Sequence, residues 1–415
     1  MTATLERTTP RTTDARITGG RSETIHTVVN MHDSPISHLS PEQIEELGRE
    51  LDEIRASVMD DLGETDARYI RRMIATQRYL EMGSRAVLLF SGNPIAWVAG
   101  TAGLSVAKIL DNMEIGHNII HGQWDWMRDP KIHSSTWEWD NVTPADHWKN
   151  SHNKVHHTYT NVVGHDNDLG YGIMRVDDAQ KWYPGYLIQP FTQFLNATFF
   201  EYGIAAYDLE LGKNWPTRHD NPQWRAEAGK VVNKIKKQAA KDYLLFPLLS
   251  GPNFASTLAA NFVSNIARNY WTHSVIMCGH FPAGVKTFTK TSIDGETRGE
   301  WYLRQMLGSA NISGSKAMHI MTGNLSYQIE HHLFPDMPSR RYQQIAPQIR
   351  ALFDKYELDY VTGPLPKQVA SAWSEIIRLS LPNDTSLLQT INILRTKGMK
   401  GLKARARATR FRLES

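Results

Sequence analysis

Three compact histidine groups, far apart in the chain, have to meet if they are to work together, and this constrains the fold more than any other feature. They read His117-Asn118-Ile119-Ile120-His121, His152-Asn153-Lys154-Val155-His156-His157 and Gln328-Ile329-Glu330-His331-His332. On an α-helix, positions four apart share a face, so His117 with His121, and His152 with His156, can each address one metal ion. The second ring of each His-His pair points to a neighbouring position, which suits a two-metal centre. Gln328 and His331 repeat the one-turn spacing. A single HxxxH is weak, because core and surface histidines reach that spacing by chance. Three groups, two of them ending in His-His, point to joint ligation. Among the other histidines, His26, His32 and His38 fall in a polar leader. His133, His147, His165, His219, His273 and His319 lack paired spacing.

Imidazole suits zinc, copper, iron and nickel. A catalytic zinc site needs three protein ligands, and the HExxH pattern of zinc proteases is absent. Seven clustered histidines fit two ions with positions left for dioxygen. Neutral nitrogen ligands around two irons, beside an apolar path, suit oxidation of an unactivated C–H bond. The one cysteine, Cys278, excludes an intramolecular disulfide framework, a cysteine-rich zinc module and a self-contained iron–sulfur cluster. With 46 basic and 43 acidic residues, the charge balance gives no support to a nucleic-acid partner.

Mean hydropathy is −0.44, which taken alone describes a soluble protein. Three uncharged runs depart from that average: Ala86–Ala107, Trp182–Phe200 and Tyr243–Ala267. Each is long enough on paper for a bilayer core, which needs about 20 helical residues, although Asn, Gln, Ser and Pro interrupt all three. Gly92-Asn93-Pro94 and Gly251-Pro252-Asn253 are turn signals, so the first and third runs read as helical hairpins. Their arms, 70–92 with 95–121 and 235–251 with 254–280, give four spans. Trp182–Phe200, carrying Pro184 and Pro190, reads as an interfacial segment. The boxes must share one side, so an even number of spans has to separate the second from the third, and two hairpins supply it. Lys230, Lys234, Lys236, Lys237 and Lys241, with Arg71 and Arg72, then fall on the cytoplasmic side. Residues 1 to about 40 lack hydrophobic periodicity and read as a disordered leader. Ser40-Pro41-Glu42 starts a helix with a capping serine and proline in the first turn. Residues 391–415 carry eight Lys or Arg and one acid, Glu414. They read either as a solvated basic tail or as a segment drawn to anionic headgroups.

The HxxxH, HxxxHH and QxxHH boxes, with Gln328 through Pro335, resemble those of membrane fatty-acid desaturases. Asn112-Met113-Glu114-Ile115-Gly116-His117 and His121-Gly122-Gln123-Trp124-Asp125-Trp126 look most like the acyl-CoA delta-9 desaturases of actinobacteria. The likeness spans roughly residues 65–365. It implies an all-α integral membrane fold: four transmembrane helices in two hairpins (about 70–121 and 235–280) and a cytoplasmic helical cap holding a di-iron site. One desaturase domain then covers 41–383, between the leader and a basic tail from 384 to 415. The resemblance also makes His280, just after the fourth span, a further ligand. Many relatives have histidine where this chain has Gln328. Its amide either ligates weakly, holds a water, or leaves one iron an open position.

The expected reaction is introduction of a cis double bond into a saturated C16–C18 acyl-CoA, at position 9, using dioxygen and two electrons. A di-iron hydroxylase or ketolase would use the same ligands, and a membrane metal-binding protein without turnover is a further alternative. Glu114, Asp166 and Asp168 either orient imidazoles through their distal N–H groups or are plain surface carboxylates. Trp124 and Trp126, with Trp137 and Trp139, either line an acyl channel or pack under the cap. Arg304, Arg340 and Arg341 are candidates for coenzyme A phosphates on charge grounds. The chain has no GxGxxG fingerprint, no cysteine set and no haem segment, so electrons must come from a separate NAD(P)H-dependent reductase, with or without a small carrier. The expected location is the cytoplasmic membrane, with the boxes and both termini facing the cytoplasm.

Overall fold

The computed structural model describes residues 28–29, 36–166, 168–218 and 220–414. Most of the expected leader, including His26 and His32, lies outside these residues, as does His219.

Helix α1 (Pro41–Asp60) starts where the sequence places it. The Ser40 hydroxyl accepts from the Gln43 N–H, and the Gln43 side chain accepts from the Ser40 N–H. Helices α2 (Glu64–Leu88) and α3 (Pro94–Leu110) form the first hairpin. Asn93 caps α3 by accepting from the Ile95 and Ala96 N–H groups. Gly100 lets the two helices close, because a Cβ there would stand 2.7 Å from Leu88 Cγ. Beyond α3 the chain widens into a π-helical turn, Asp111–His117. A second π-helical turn, Lys149–His156, carries the second histidine group.

The run from Trp182 folds into a short 3₁₀ turn, Pro184–Ile188, followed by α4 (Gln189–Thr198) and α5 (Phe200–Asp208). The second hairpin pairs α6 (Pro222–Ala239), continued by a π-helical turn Ala240–Leu245 and one α turn Phe246–Leu249, with α7 (Phe254–His280). The two hairpin tips are tied together. Asn253 Nδ2 donates to Leu89 O at 2.8 Å, Ser256 Oγ to Ser91 O at 2.6 Å and Trp97 Nε1 to Ser256 O at 3.0 Å. Deeper between the hairpins, Lys108 reaches Asp242 at 2.7 Å and Asp140 at 3.2 Å, while Arg85 meets Asp242 at 2.9 Å.

The cap is built from α1, α8 (Arg298–Leu307), α9 (Gln328–Leu333) and α10 (Tyr342–Lys355). They close on a core that includes Leu47, Leu51, Leu303, Ile329, Phe334 and Phe353. Two parallel ladders staple distant segments: β1 (Val28–Val29) on β2 (Thr287–Phe288), and β3 (Asn311–Ser313) on β4 (Thr362–Pro364). Helices α11 (Leu365–Ser380) and α12 (Leu387–Glu414) follow.

The helical architecture and both hairpins match expectation, but the four transmembrane helices do not. Among the described residues no helix is long and apolar enough to cross a membrane. The physical reason differs from arm to arm. Helix α3 is apolar but has only 17 residues, and α2 carries Arg68, Arg71, Arg72, Arg78 and Arg85 along its length. The uncharged run Tyr243–Ala267 does not fill one helix; it straddles the second turn, leaving a broken third arm. Helix α7 has 27 residues, but Asn261, Ser264, Asn265, Arg268, Asn269, Thr272 and His273 are buried along it.

Candidate metal centre

Both ends of the hairpins deliver histidines to one place. The first π turn ends on His117, and α7 ends on His280. The second π turn supplies His152 and His156, with His157 following, and α9 supplies Gln328, His331 and His332. All eight histidines are buried. Their ring nitrogens fall into two groups, His117, His121, His152 and His331 in one and His156, His280 and His332 in the other. Within each group the nearest nitrogens lie within 4.8 Å of one another. His157 stands between them, its ring centroid 4.8 Å from those of His121 and His331 and 4.5 Å from that of His332.

His152 and His156 therefore serve different groups, although α-helical spacing puts them on one face. Their rings nevertheless remain stacked, with centroids 4.8 Å apart, and both also lie with Asp168 in a third cluster of possible ligand atoms. His152 stays with the first group, and its ring lies parallel to the indole of Trp148 with centroids 4.2 Å apart.

The hydrogen bonds fix which nitrogen faces inward. His152 Nδ1 donates to Asp168 at 2.6 Å, His156 Nδ1 to Asp166 at 3.0 Å, and His280 Nδ1 to Gly308 O at 3.2 Å. His117 Nδ1 donates to Asn118 Oδ1 at 2.9 Å and His332 Nδ1 to Gln305 Oε1 at 3.2 Å. The Tyr342 hydroxyl donates to Phe334 O, so it accepts from His331 Nδ1 at 3.2 Å. With Nδ1 occupied, Nε2 carries the lone pair. The Nε2 atoms of His121, His152 and His331, and both nitrogens of His157, are buried with no partner. His280 Nε2 lies 3.1 Å from His332 Nε2 and 3.1 Å from Gln328 Nε2. Buried imidazoles left unpaired and converging in this way fit metal ions, which satisfy such lone pairs where water cannot reach.

Burial keeps seven of the eight rings neutral. Burial lowers the His117 pKa to about 4 and that of His280 to about 3, and holds His121, His152, His157, His331 and His332 well below the usual range. At His156 burial works against the charged ring, but Asp166 outweighs it and raises the pKa. Neutral imidazole is the form that binds a metal.

Asp166 and Asp168 thus face the imidazoles of His156 and His152. Glu114 does not touch an imidazole. It accepts from Tyr69, Ser339, Asn324 and Asn118, and Asn118 in turn faces His117. Burial pushes the Glu114 pKa up to about 7. The partners at Gly308, Gln305 and Tyr342 carried no sequence signal, since none lies beside a box. Asn118, inside the first box, was the one within reach of inspection.

A narrow cavity of about 50 Å³ touches both groups through His117, His152 and His280. Its other walls include Trp139, Trp148, Tyr171, Phe200, Ile204 and Ile276. Trp124 and Trp126 are not among them; they pack with Ile70, Ile115 and Ile119. Arg304 is buried, paired with Glu296 at 2.7 Å and donating to Thr158 O and Thr160 O. Arg341 is engaged by Asp66 and Asp61. Arg340 lines a separate surface pocket of about 370 Å³ with Arg68, Arg72 and Tyr69.

Comparison with known proteins places this arrangement. The sequence model of the fatty acid desaturase family matches residues 92–364. An NADPH-dependent stearoyl-CoA 9-desaturase of Mycobacterium tuberculosis is 48% identical over 351 residues, 84% of this chain and 82% of its own length. An sn-1 linoleoyl-lipid 6-desaturase of Synechocystis is 24% identical, across 63% of this chain and 74% of its own. The counterpart in Arthrospira platensis is 26% identical across 59% and 68%. A family match that runs from the first hairpin turn to β4, and so takes in every histidine of the two groups, leaves one conclusion: the chain belongs to the fatty acid desaturase family.

Proposed function

We propose that this protein is an oxygen-dependent acyl-CoA desaturase that places a cis double bond at position 9 of a saturated C16–C18 chain. The observation that carries this reading is the narrow apolar cavity touching both histidine groups at once. A methylene pair held there lies beside both centres, with tryptophan and phenylalanine walls excluding water. The strong likeness to a stearoyl-CoA desaturase supports the substrate class.

His117, His121, His152 and His331 would hold one iron and His156, His280 and His332 the other, with His157 between them. Gln328 stands at the second group beside His280. When bound, the irons supply the redox chemistry by which dioxygen takes up four electrons, two from the substrate C–H bonds and two from the donor. The chain supplies placement. Asp166 and Asp168 fix the tautomer and direction of two rings, and Trp148 backs the first group. Arg340, with Arg68 and Arg72, offers charge for the phosphates of coenzyme A at the surface. Electrons come from a separate NAD(P)H-dependent reductase, with or without a small carrier, in keeping with the NADPH dependence of the mycobacterial relative.

The partner surface is a lipid bilayer, and the location is the cytoplasmic face of the cell membrane. Large apolar side chains stand exposed at the tied hairpin tips, including Phe90, Ile95, Val98, Leu248 and Leu249. A contiguous apolar patch of that kind marks a membrane or protein contact.

Incubation of the iron-loaded chain with stearoyl-CoA, NADPH and a reductase, followed by gas chromatography–mass spectrometry, tests the reaction. A product lighter by two hydrogens and unsaturated at position 9 is expected. A product heavier by one oxygen would replace desaturation with hydroxylation.

A further inference from the structure

The end of the chain takes no part in the metal centre, yet it is anchored to the body with care. Trp182 Nε1 donates to Ser380 O at 2.9 Å, and Arg175 donates to Leu379 O and Leu381 O at 3.3 and 3.2 Å. Arg175 also meets Asn383 Oδ1, while Asn383 Nδ2 donates to Asp178 O at 2.8 Å. Arg378 pairs with Asp178 at 2.7 Å. These contacts fix the end of α11 and the linker to α12 against the segment that leads into α4. Helix α11 packs along α4 and the 3₁₀ turn before it.

Two kinds of surface are held together by that anchor. Ile188, Phe191, Phe194 and Leu195 stand exposed on the 3₁₀ turn and α4, and Ile377 on α11. Leu387, Leu388 and Ile391 are likewise exposed on the first turns of α12, with Leu388 80% exposed. Past them, α12 turns at Gly398, whose φ of +59° a residue with a Cβ rarely adopts. The charge changes along the same helix. Arg395, Lys397, Lys400, Lys403 and Arg407 are exposed and form no ion pair among the described residues. Residues 391–415 hold eight basic residues against one acid.

We infer that α12, with the exposed face of α4, is an anionic-phospholipid-binding surface, distinct from the hairpin tips. This rests on the reading that the protein is held at a bilayer and adds which lipid it selects. A short apolar face alone gives weak, reversible attachment, and a basic cluster beside it supplies the second signal. Each basic residue near an anionic surface strengthens partition by about fivefold. A second copy of this chain is a poor occupant, because a self-complementary pairing would set like charges opposite one another.

The test is flotation of the full-length, iron-loaded chain with vesicles of phosphatidylcholine alone and of phosphatidylcholine mixed with phosphatidylglycerol. The wild-type chain is expected to favour the mixed vesicles, with the preference fading as salt is raised. The variant carrying Lys397→Glu, Lys400→Glu, Lys403→Glu and Arg407→Glu is expected to lose that preference, its partition into the mixed vesicles falling by at least about tenfold. Its binding to phosphatidylcholine, iron content and turnover are expected to stay unchanged. Leu388→Gln, with every charge kept, is expected to weaken binding to both vesicle types. Equal wild-type binding to the two vesicles, independent of salt, would overturn the inference while leaving the bilayer reading intact. No binding to either vesicle would overturn both. Iron content and wild-type salt dependence keep the result readable if the fourfold variant folds poorly.

Discussion

His157 shows how much one ring position carries. Both of its nitrogens are buried without a partner, and it stands between the two histidine groups. The seven other histidines divide between those groups, so His157→Ala is expected to lower iron occupancy at both centres. His117→Ala is expected to spare the second group. Metal analysis of the purified variants, combined with a spectroscopic probe of iron–iron coupling, checks this; equal losses in the two would remove the special place of His157. The carboxylates behind the rings give a graded case. Asp166 accepts from His156 Nδ1 and is itself held by the Asn161 and Asp168 N–H groups. Asp166→Asn keeps the shape but not the charge, and loss of such a partner weakens metal affinity by about 10–100-fold. Competition with a chelator measures it, and an unchanged affinity would argue against iron at His156. The box histidines were legible because HxxxH and His-His are local patterns. The atoms that orient them were mostly not. Gly308 O, Gln305 and Tyr342 reach the rings from other elements, 28, 27 and 11 residues away, and nothing in their own neighbourhoods marks them.

At the scale of elements, the helices and turns were legible because capping and breaking are local chemistry: Ser40 before α1, Asn93 before α3, Gly251-Pro252-Asn253 before α7. The reading failed at membrane spans, for a reason rooted in pairing. Asn261 and Asn265 of α7, Arg85 of α2 and Lys108 of α3 all converge on Asp242, so a count of charge-free residues cannot tell a lipid-facing helix from one that packs on polar partners. Lys108, Asp242 and Asp140 are the clearest case. Lys108 is 2% exposed and sits between two carboxylates, whose attraction raises its pKa although burial opposes the charge. Lys108→Met removes the cation between the two carboxylates, leaving Asp242 to Arg85 and Asp140 to Lys241, and is expected to cost up to about 3 kcal/mol, read as a fall in Tm. Adding Asp242→Asn to that variant is expected to return part of the loss. If the single change is neutral, the pair does not hold the hairpins together. The π turns were equally out of reach of the sequence, yet they set the site. A Cβ at Gly116 would stand 2.7 Å from Asp111 O, within the first π turn, and 3.0 Å from Trp139 Cβ. Neither neighbour can swing away, so Gly116→Ala is expected to destabilise by about 1–3 kcal/mol and to shift His117. A Tm loss without loss of iron would limit the effect to packing.

The whole molecule concentrates titratable groups in its interior, and this gives its metal-free form a characteristic dependence on pH. Burial holds His117 at about 4 and His273 and His280 at about 3, against an ordinary 6.5, with five more box histidines well below that value. Below pH 6.5 the unfolded chain binds protons that these rings refuse, so their contribution to stability is lost as pH falls. Buried carboxyls act in the opposite sense. Burial pushes Glu114, Glu330 and Asp177 up to about 7, so the fold binds protons that the unfolded chain releases above about pH 4.5. Their contribution is present at low pH and is lost as pH rises through 7. Between about pH 4.5 and 6.5 the three carboxyls offset only part of the effect of the eight histidines. Below that window the carboxyls are protonated in both states and only the histidines still titrate. The Tm of the metal-free chain is therefore expected to be highest near pH 6.5, to ease slightly as the carboxyls ionise toward pH 7 and level off above it, to fall as pH drops below about 6.5, and to fall more steeply below about pH 4.5. Glu330→Gln, which removes one of the opposing carboxyls, is expected to steepen the fall between about pH 6.5 and 4.5 while leaving the limb below pH 4.5 in place. Calorimetry of the metal-free protein across this range checks both limbs. A fall between pH 6.5 and 4.5 as steep as that below about pH 4.5 would show that the buried carboxyls are ionised in the fold and do not hold protons there.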